Sequence, residues 1–315
     1  MNPISSAPLC FSRKKVIGTP ILSENFGAED AEIMPFRTGS DYFSSDSRLS
    51  HIVRKVGKNM FLSLISGSSG NASVVTCGDT IILIDCGMSG KKLEAALAEL
   101  DISCSDISAI LLTHEHIDHT RGVGIVSRRY DIPIYATRGT HSNAEIGNIA
   151  EKNIKVIQAE NEFEIGSVGI CPFAISHDAA EPVGFSFFAD GKKLTIATDS
   201  GEITDTMKKH ILGSSEIILE SNHDVDLLMY GTYPLSLKRR ILSSRGHLSN
   251  ADASKAAVEL LNGGTEKIML GHLSKENNTP DIAYETSRLA LSESGAKIGK
   301  DILLSVANRH EITRF

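Results

Sequence analysis

The sequence predicts an α/β fold whose functional site lies along one rim of strand ends. Two observations carry that expectation. Four potential metal ligands fall within Thr113-His114-Glu115-His116-Ile117-Asp118-His119, directly behind the apolar run Ile110-Leu111-Leu112. Four later apolar stretches then deliver the same chemistry at their C-terminal ends. Residues 170–175 lead to His177, 193–198 to Asp199, 216–220 to Glu220 and 267–271 to His272. Strand ends converging on one edge are how α/β folds assemble sites.

Strand alternation gives the spacing of the first cluster its meaning. Where a strand runs out into a loop, His114, His116 and Asp118 are expected on one side and His119 on the neighbouring side. That arrangement serves two adjacent ions. Imidazoles and a carboxylate without cysteine suit zinc, manganese or iron in an open site and argue against a closed structural zinc.

In chain order, residues 1–59 lack sustained periodicity and are rich in Ser with mixed charge, so they read as a poorly ordered extension. They have no basic start followed by an apolar core, as a secretory signal would, and carry acids that a transit peptide avoids. Met60 offers an internal start for translation. A domain is expected over residues 60–315. Residues 61–65 read as a strand, followed by the loop Gly67-Ser68-Ser69-Gly70-Asn71. Strands 72–77 and 80–85 turn about Gly78-Asp79, a hairpin signal. The Gly-rich loop is either a plain connection or a phosphate cradle, which makes Ser69 and Asn71 candidate substrate contacts. Asp85 either orients a ligand histidine or closes its strand in an Asx turn. Residues 91–100 read as a helix with Leu93, Ala96, Leu97 and Leu100 on one face. Further helices are expected up to Tyr130, over 203–211 and over 250–261, and a second hairpin about Asp190-Gly191.

Composition narrows the function classes. The 315 residues suffice for a substantial core, and no apolar run approaches the roughly 20 residues that span a bilayer. Five scattered cysteines without a C-x-x-C pair fit reduced thiols in the cytoplasm. The net charge is −7; residues 1–58 hold eight Lys/Arg and six Asp/Glu (+2), so the remainder is −9. A phosphate substrate then relies on bound cations and a local basic patch.

Each remaining candidate has a plainer alternative. Asp199 can cap the following helix or bridge two cations, and the two oxygens of a carboxylate favour the bridge. His177 and His272 are strand-end histidines that the first cluster makes ligand candidates. His247 lies just before a helix start with Ser249 or Asn250 as N-cap, beside a positive dipole end suited to a phosphate oxygen. Glu220 either holds the His247 tautomer or forms a surface salt bridge. His223 shares the turn after Glu220. Lys238, Arg239, Arg240 and Arg245 form the densest basic run, read as phosphate contacts or a solvated helix face. Tyr230 and Tyr233 read as core aromatics, with base stacking as the alternative.

The string His114-x-His116-x-Asp118-His119, followed by His177, Asp199 and His272, resembles the metallo-β-lactamase superfamily. The resemblance implies an αββα sandwich: two mixed sheets, helices on both outer faces and a two-metal site on one edge. Longer strings, among them Ser66-Gly67-Ser68-Ser69-Gly70-Asn71, Ser176-His177-Asp178-Ala179 and Gly246-His247-Leu248-Ser249-Asn250, are similar to the WalJ (YycJ) branch. That branch implies a 5′-to-3′ exonuclease on double-stranded DNA linked to mismatch repair. Glu220 and Gly246-His247 also resemble the Glu and Gly-His pair of ribonuclease Z. The expected enzyme is thus a phosphodiesterase with two divalent ions, zinc or manganese, with iron also compatible. His114, His116 and His177 would hold one ion, Asp118, His119 and His272 the other, and Asp199 would bridge; a hydroxide between them would attack phosphorus. Asp118, Glu220 and His247 are the candidate catalytic residues, and Ser69, Asn71, His223, Lys238, Arg239 and Arg245 the substrate contacts. Two rivals are a glyoxalase II-like thioesterase or lactonase and a non-catalytic binding protein.

Overall fold

The computed structural model describes residues 59–315, so the expected extension over residues 1–59 lies outside the described residues, save for Asn59. The strands, in chain order, are β1 (Asn59–Ile65), β2 (Ala72–Cys77), β3 (Thr80–Ile84), β4 (Ala109–Leu111), β5 (Ile134–Thr137), β6 (Ile154–Ile157) and β7 (Phe163–Ile165). There follow β8 (Val168–Ala174), β9 (Val183–Ala189), β10 (Lys192–Ala197), β11 (Glu216–Glu220), β12 (Lys267–Gly271), β13 (Leu303–Val306) and β14 (Thr313–Arg314). They form two mixed sheets, ordered β14-β1-β2-β3-β4-β5-β6 and β13-β12-β11-β10-β9-β8-β7.

Side-chain alternation sorts the core into three apolar layers. Ile81 and Leu83 of β3 face one way, while Ile82 and Ile84 face the other. The first pair packs under α1 (Gly90–Ala98) and α3 (Val123–Tyr130) through Leu93, Leu97, Val123 and Val126. The second pair meets Phe185, Phe187 and Ile218 of the opposite sheet. Beyond that sheet, Ile217, Leu219, Ile268 and Leu270 pack against α5 (Asp205–Ile211), α8 (Asn250–Asn262) and α9 (Pro280–Glu293). Strands buried on both faces need helices outside both sheets, and this is the αββα sandwich the resemblance implies.

The expected hairpins form where the turn chemistry places them. Asp190 and Gly191 both hold positive φ, 46° and 75°, which a two-residue turn matched to strand twist requires. Helix starts also resolve two alternatives. Thr204 caps α5, which releases Asp199 from that duty, and Ser249 caps α8. Tyr230 is not a core aromatic: it is 89% exposed.

Parallel pairing fixes where the site lies. β3 runs parallel to β4, and β10, β11 and β12 run parallel to one another, so their C-terminal ends share an edge within each sheet. β8 pairs antiparallel with β9 and β9 with β10, which returns β8 to the β10 direction and sends its end to the same rim.

Phe185 is fully buried between the sheets and packs with Phe187 at 6.2 Å between ring centroids. Phe185→Ala is expected to destabilise the fold by about 3–5 kcal/mol. A drop in the urea midpoint without change of slope would report it, and an unchanged midpoint would contradict this packing.

Candidate metal centre

The first ligand cluster departs from the expected strand-like alternation after His116. Ile117–Thr120 is a short helix, α2, with His116 as its N-cap, so Asp118 and His119 are presented by a helical turn. Helical spacing spreads adjacent side chains by about 100° instead of 180°, which lets both reach the cleft. Two backbone bonds pin that turn, Asn71 N to Asp118 O (2.8 Å) and Cys86 N to His119 O (2.7 Å), and Gly87 N to Asn71 O (2.8 Å) ties the two anchoring segments together. A Cβ at Gly87 would lie 1.6 Å from the Asp118 carbonyl oxygen, so only glycine permits this approach.

Four of the five buried histidines, His114, His119, His177 and His272, have Nδ1 engaged. His114 Nδ1 meets Thr113 Oγ1 at 3.0 Å, and since that hydroxyl donates to Asp85, it accepts from the imidazole. His119 Nδ1 meets Asp85 Oδ2 at 2.7 Å, His177 Nδ1 the Gly246 carbonyl at 3.1 Å, and His272 Nδ1 Glu220 Oε1 at 2.9 Å. With Nδ1–H donated, the Nε2 lone pair of every ring is left for a cation. Asp85 therefore orients His119.

The sequence-predicted ligands meet in two groups joined by Asp199. In one, His116 Nδ1 lies 3.0 Å from His114 Nε2 and 3.3 Å from His177 Nε2. Zinc–nitrogen bonds of about 2.05 Å in a tetrahedron give nitrogen separations of about 3.3 Å, so this triad has the right size. In the other, Asp118 Oδ2 lies 3.6 Å from both His119 Nε2 and His272 Nε2. Asp199 reaches both groups, with Oδ2 3.4 Å from His119 Nε2 and Oδ1 3.9 Å from His177 Nε2. Asp199 Oδ2 and His272 Nε2 are buried with no hydrogen-bond partner. Orphaned acceptors are costly unless a cation satisfies them, so these residues fit divalent metal ions.

The electrostatics fit as well. Burial, reinforced by His119, His177 and His116, pushes the His114 imidazole well below its ordinary value. Burial lowers His177 against the pull of Asp199. Burial would also lower His119, but Asp199, Asp85 and Asp118 carry it to about 9, and Asp199, Asp118 and Glu220 raise His272. Asp118 and Glu220 stay far below the usual carboxylate range because nearby imidazoles outweigh their burial. Within the protein alone, the raised imidazoles of His119 and His272 are the groups that answer the neighbouring acids. A divalent cation is the stronger partner.

Beside the ligand groups, Glu220 Oε1 also receives His247 Nδ1 at 2.8 Å, and Glu220 Oε2 accepts from Ser200 N at 2.7 Å. The acid thus holds the His247 tautomer and is no surface salt bridge. The two groups open into a cavity of about 330 Å³, whose wall includes Ser68, Asn222, Tyr233, Arg240, His247 and Ser274.

The predicted substrate contacts are distributed unevenly about this cavity. Asn71 is buried, with Nδ2 3.0 Å from His119 Nε2 and 3.4 Å from Asp118 Oδ2. Ser69 instead borders a separate hollow of about 630 Å³ together with Arg121 and Arg309. His223 is buried and does not line the cavity, because its turn directs it beneath the start of α8, where its carbonyl accepts from Asn250 N. Lys238 donates to the Met229 and Gly231 carbonyls, Arg245 Nε donates to the His177 carbonyl, and Arg239 is exposed. Ser68 and Asn222 on the wall escaped sequence reasoning. Ser68 stands in the quoted Ser66–Asn71 string and Asn222 between Glu220 and His223, each beside residues that carried clearer chemistry.

An αββα sandwich that gathers His, Asp and Glu side chains at its strand ends is the architecture of metal-dependent hydrolases with the β-lactamase fold. The family model described as beta-lactamase superfamily domain matches residues 80–272, from β3 through His272, and the chain belongs to that superfamily. Exodeoxyribonuclease YycJ of Bacillus anthracis is 40% identical over 242 residues, 76% of this chain and 92% of the relative. Relationship at that level makes the chain a metal-dependent hydrolase. Among solved structures, the metallo-β-lactamase fold protein YhfI of Bacillus subtilis aligns with a TM-score of 0.61 at 17% identity, covering 82% of this chain and all of YhfI. The short form of human tRNase Z aligns at 0.54 and 17% identity, covering 81% of this chain and 98% of its own. Both share the fold.

Chelation is expected to destabilise the protein measurably. A cation held at 100 times its dissociation constant contributes about 2.7 kcal/mol, or a shift in Tm of roughly 5–10 °C for a domain of this size. Thermal unfolding after EDTA treatment, and again after adding back Zn²⁺ or Mn²⁺, would show the loss and its recovery. Identical curves in all three conditions would contradict the site.

Proposed function

We propose that the protein is a binuclear phosphodiesterase, a 5′-to-3′ exonuclease on double-stranded DNA that acts in DNA repair in the cytoplasm. One observation carries the reading: two ligand groups share Asp199, and the Glu220–His247 pair stands at their edge. The similarity to an exodeoxyribonuclease over most of both chains supports the substrate class. In this assignment His114, His116 and His177 hold one divalent ion, Asp118, His119 and His272 the other, and Asp199 bridges them. Zinc and manganese are the proposed metals, and iron is compatible with the donors.

When bound, such a pair of ions supplies a water molecule ionised near neutral pH and neutralises the charge growing on phosphoryl oxygens. The protein's own groups do the rest. Glu220 accepts from His247 Nδ1–H, which leaves Nε2 to face the leaving oxygen; a ring protonated on both nitrogens gives its Nε2 proton to that oxygen and is left neutral, with Nδ1–H still on Glu220. The Asp85, Gly246 and Glu220 contacts hold the ligand rings in register, so little reorganisation accompanies the reaction. Asn71 Nδ2 places a further donor between Asp118 and His119. The cytoplasmic assignment rests on the free, buried Cys77, Cys86, Cys104 and Cys171, and no helix among the described residues is long and apolar enough to cross a membrane.

Digestion of 5′- and 3′-labelled duplex, single-stranded DNA and RNA, with Mn²⁺, Zn²⁺ or EDTA present, tests the proposal against a thioester control. Metal-dependent release of nucleotides from the 5′ end of the duplex is expected. Thioester cleavage without nuclease activity would favour the glyoxalase II-like rival. His116→Ala and Asp118→Ala are each expected to lower cleavage by at least about 10³-fold, as loss of an essential catalytic group does, while circular dichroism stays unchanged. Full activity in either would refute the ligand assignment.

A further inference from the structure

The cavity over the metal centre is too small for what the proposed substrate brings to it. Its volume of about 330 Å³ sits at the low end of small-molecule sites, roughly 300–1,000 Å³. That is room for about one nucleotide unit, and a paired duplex end is far wider. Asp199, His177 and His272 are also nearly fully buried, so the scissile phosphate must descend to them. A strand can reach that depth only when its terminal nucleotide leaves its partner. Something outside the cavity must hold the bases that have come unpaired.

One surface has the chemistry for it. The segment between β11 and α8 carries two short helices, α6 (Val225–Tyr230) and α7 (Leu235–Ile241), and α7 has no buried residue. Six of the twelve exposed large apolar side chains among the described residues fall in this segment: Val225, Leu227, Met229, Tyr230, Leu235 and Leu242. Tyr230 stands out at 89% exposure, and Leu235 follows at 57%. Exposed apolar groups concentrated in this way mark a binding face. The face runs into the cavity wall, which Tyr233, Leu237, Arg240 and Ile241 help to build. Tyr230 lies three residues from Tyr233, within about 11 Å of chain.

Charge selects the partner. Residues 225–245 hold four basic side chains (Lys238, Arg239, Arg240 and Arg245) against one acid, Asp226, in a chain whose net charge is −7. Lys238 is spent on the α6 carbonyls and Arg240 pairs with Asp178, which fixes α7 to the rim. Arg239 and Arg245 are exposed residues next in sequence to Arg240 and Gly246 of the cavity wall, and Arg245 Nε donates to the His177 carbonyl. Apolar and aromatic faces interleaved with arginine are the pattern of single-stranded nucleic-acid binding, where bases stack and phosphates are neutralised. A protein partner has no need of the cations, and a second copy of this acidic chain would bring the same basic segment against itself.

We propose that the α6–α7 face is a stacking platform for unpaired nucleobases. It grips the frayed end of the duplex, with Tyr230 under a base beside the scissile phosphate. This inference rests on the nuclease reading above and adds that strand separation at the end precedes cutting.

The test uses the full chain with its metal and three substrates: a chromogenic phosphodiester without bases, a blunt 5′-labelled duplex, and the same duplex with three mismatched terminal pairs. Tyr230→Ala is expected to lower kcat/KM on the blunt duplex about tenfold or more, and to leave hydrolysis of the small diester within about twofold. Tyr230→Phe should restore the duplex rate, since the ring and not the hydroxyl stacks. Wild type should cut the mismatched end faster than the blunt one. Unchanged duplex cleavage by Tyr230→Ala overturns the proposal, as does an equal loss on the small diester or no preference for the mismatched end. If Tyr230→Ala instead dissociates a dimer in sedimentation, and duplex cleavage falls only with that dissociation, the face belongs to a second copy and the proposal also fails. Absence of any nucleic-acid cleavage by wild type refutes the nuclease reading itself. Wild-type cleavage that survives Tyr230→Ala refutes only the platform.

Discussion

Three strand-end residues carry a backbone conformation that the rest of the site depends on. Asp85, Asp199 and His272 all hold left-handed φ values, 58°, 61° and 55°, where residues with a Cβ are uncommon. Each such residue costs of order 1–3 kcal/mol and persists only when its surroundings over-determine it. Here they do. Asp85 accepts from Thr113 N, Thr113 Oγ1 and His119 Nδ1, while His272 N donates to Ser66 Oγ at 2.8 Å. The reversed backbone turns each side chain back over its strand end, into the cleft between the sheets. Relaxed β geometry at these positions would send the chain onward and leave the ligand groups incomplete.

A second constraint is electrostatic. Five imidazoles (His114, His116, His119, His177 and His272) and the carboxylates of Asp118, Asp199 and Glu220 meet in a largely buried cleft with too little solvent to screen them. The fold manages this by giving His114, His119, His177 and His272 an acceptor at Nδ1 and by gathering their Nε2 atoms inward. Glu220 is the hub: one oxygen takes His247 and His272, the other the Ser200 and Leu248 amides. A single buried acid thereby ties the His272 ring to the His247 ring. An acid that accepts four hydrogen bonds is also poorly replaced by an amide, whose N–H₂ would face other donors.

The α6–α7 segment contrasts with that order. It is attached to the rim by the Arg240–Asp178 pair and by Lys238 at the end of α6, and it otherwise leaves its apolar side chains in water. The core gains little from these residues, so the sequence here is free to serve what binds. The adjoining cavity takes Tyr233, Leu237, Arg240 and Ile241 of this segment into its wall.

The sequence by itself marked the His and Asp residues that gather in the two groups, the strands that carry most of them and Ser249 as a candidate cap for α8. These are local signals: apolar periods of 2 or 3.6 residues, a Ser or Thr at a helix start, a Gly at a tight turn. Even the role of Glu220 was legible as one of two alternatives. Tertiary structure decided what local signals do not encode. It put Asp118 and His119 on a helical turn, because the bonds from Asn71 and Cys86 stabilise that turn from outside it. It placed Asn71 against a ligand histidine 48 positions away and Ser66 against an amide 206 away, since both contacts follow from sheet order and not from neighbours in the chain. It moved Ser69 and His223 off the cavity and set Tyr230 outside the core, where a residue's type says nothing about which face remains uncovered. Short-range pattern fixes which element a residue joins; the packing of elements against one another fixes what that residue meets.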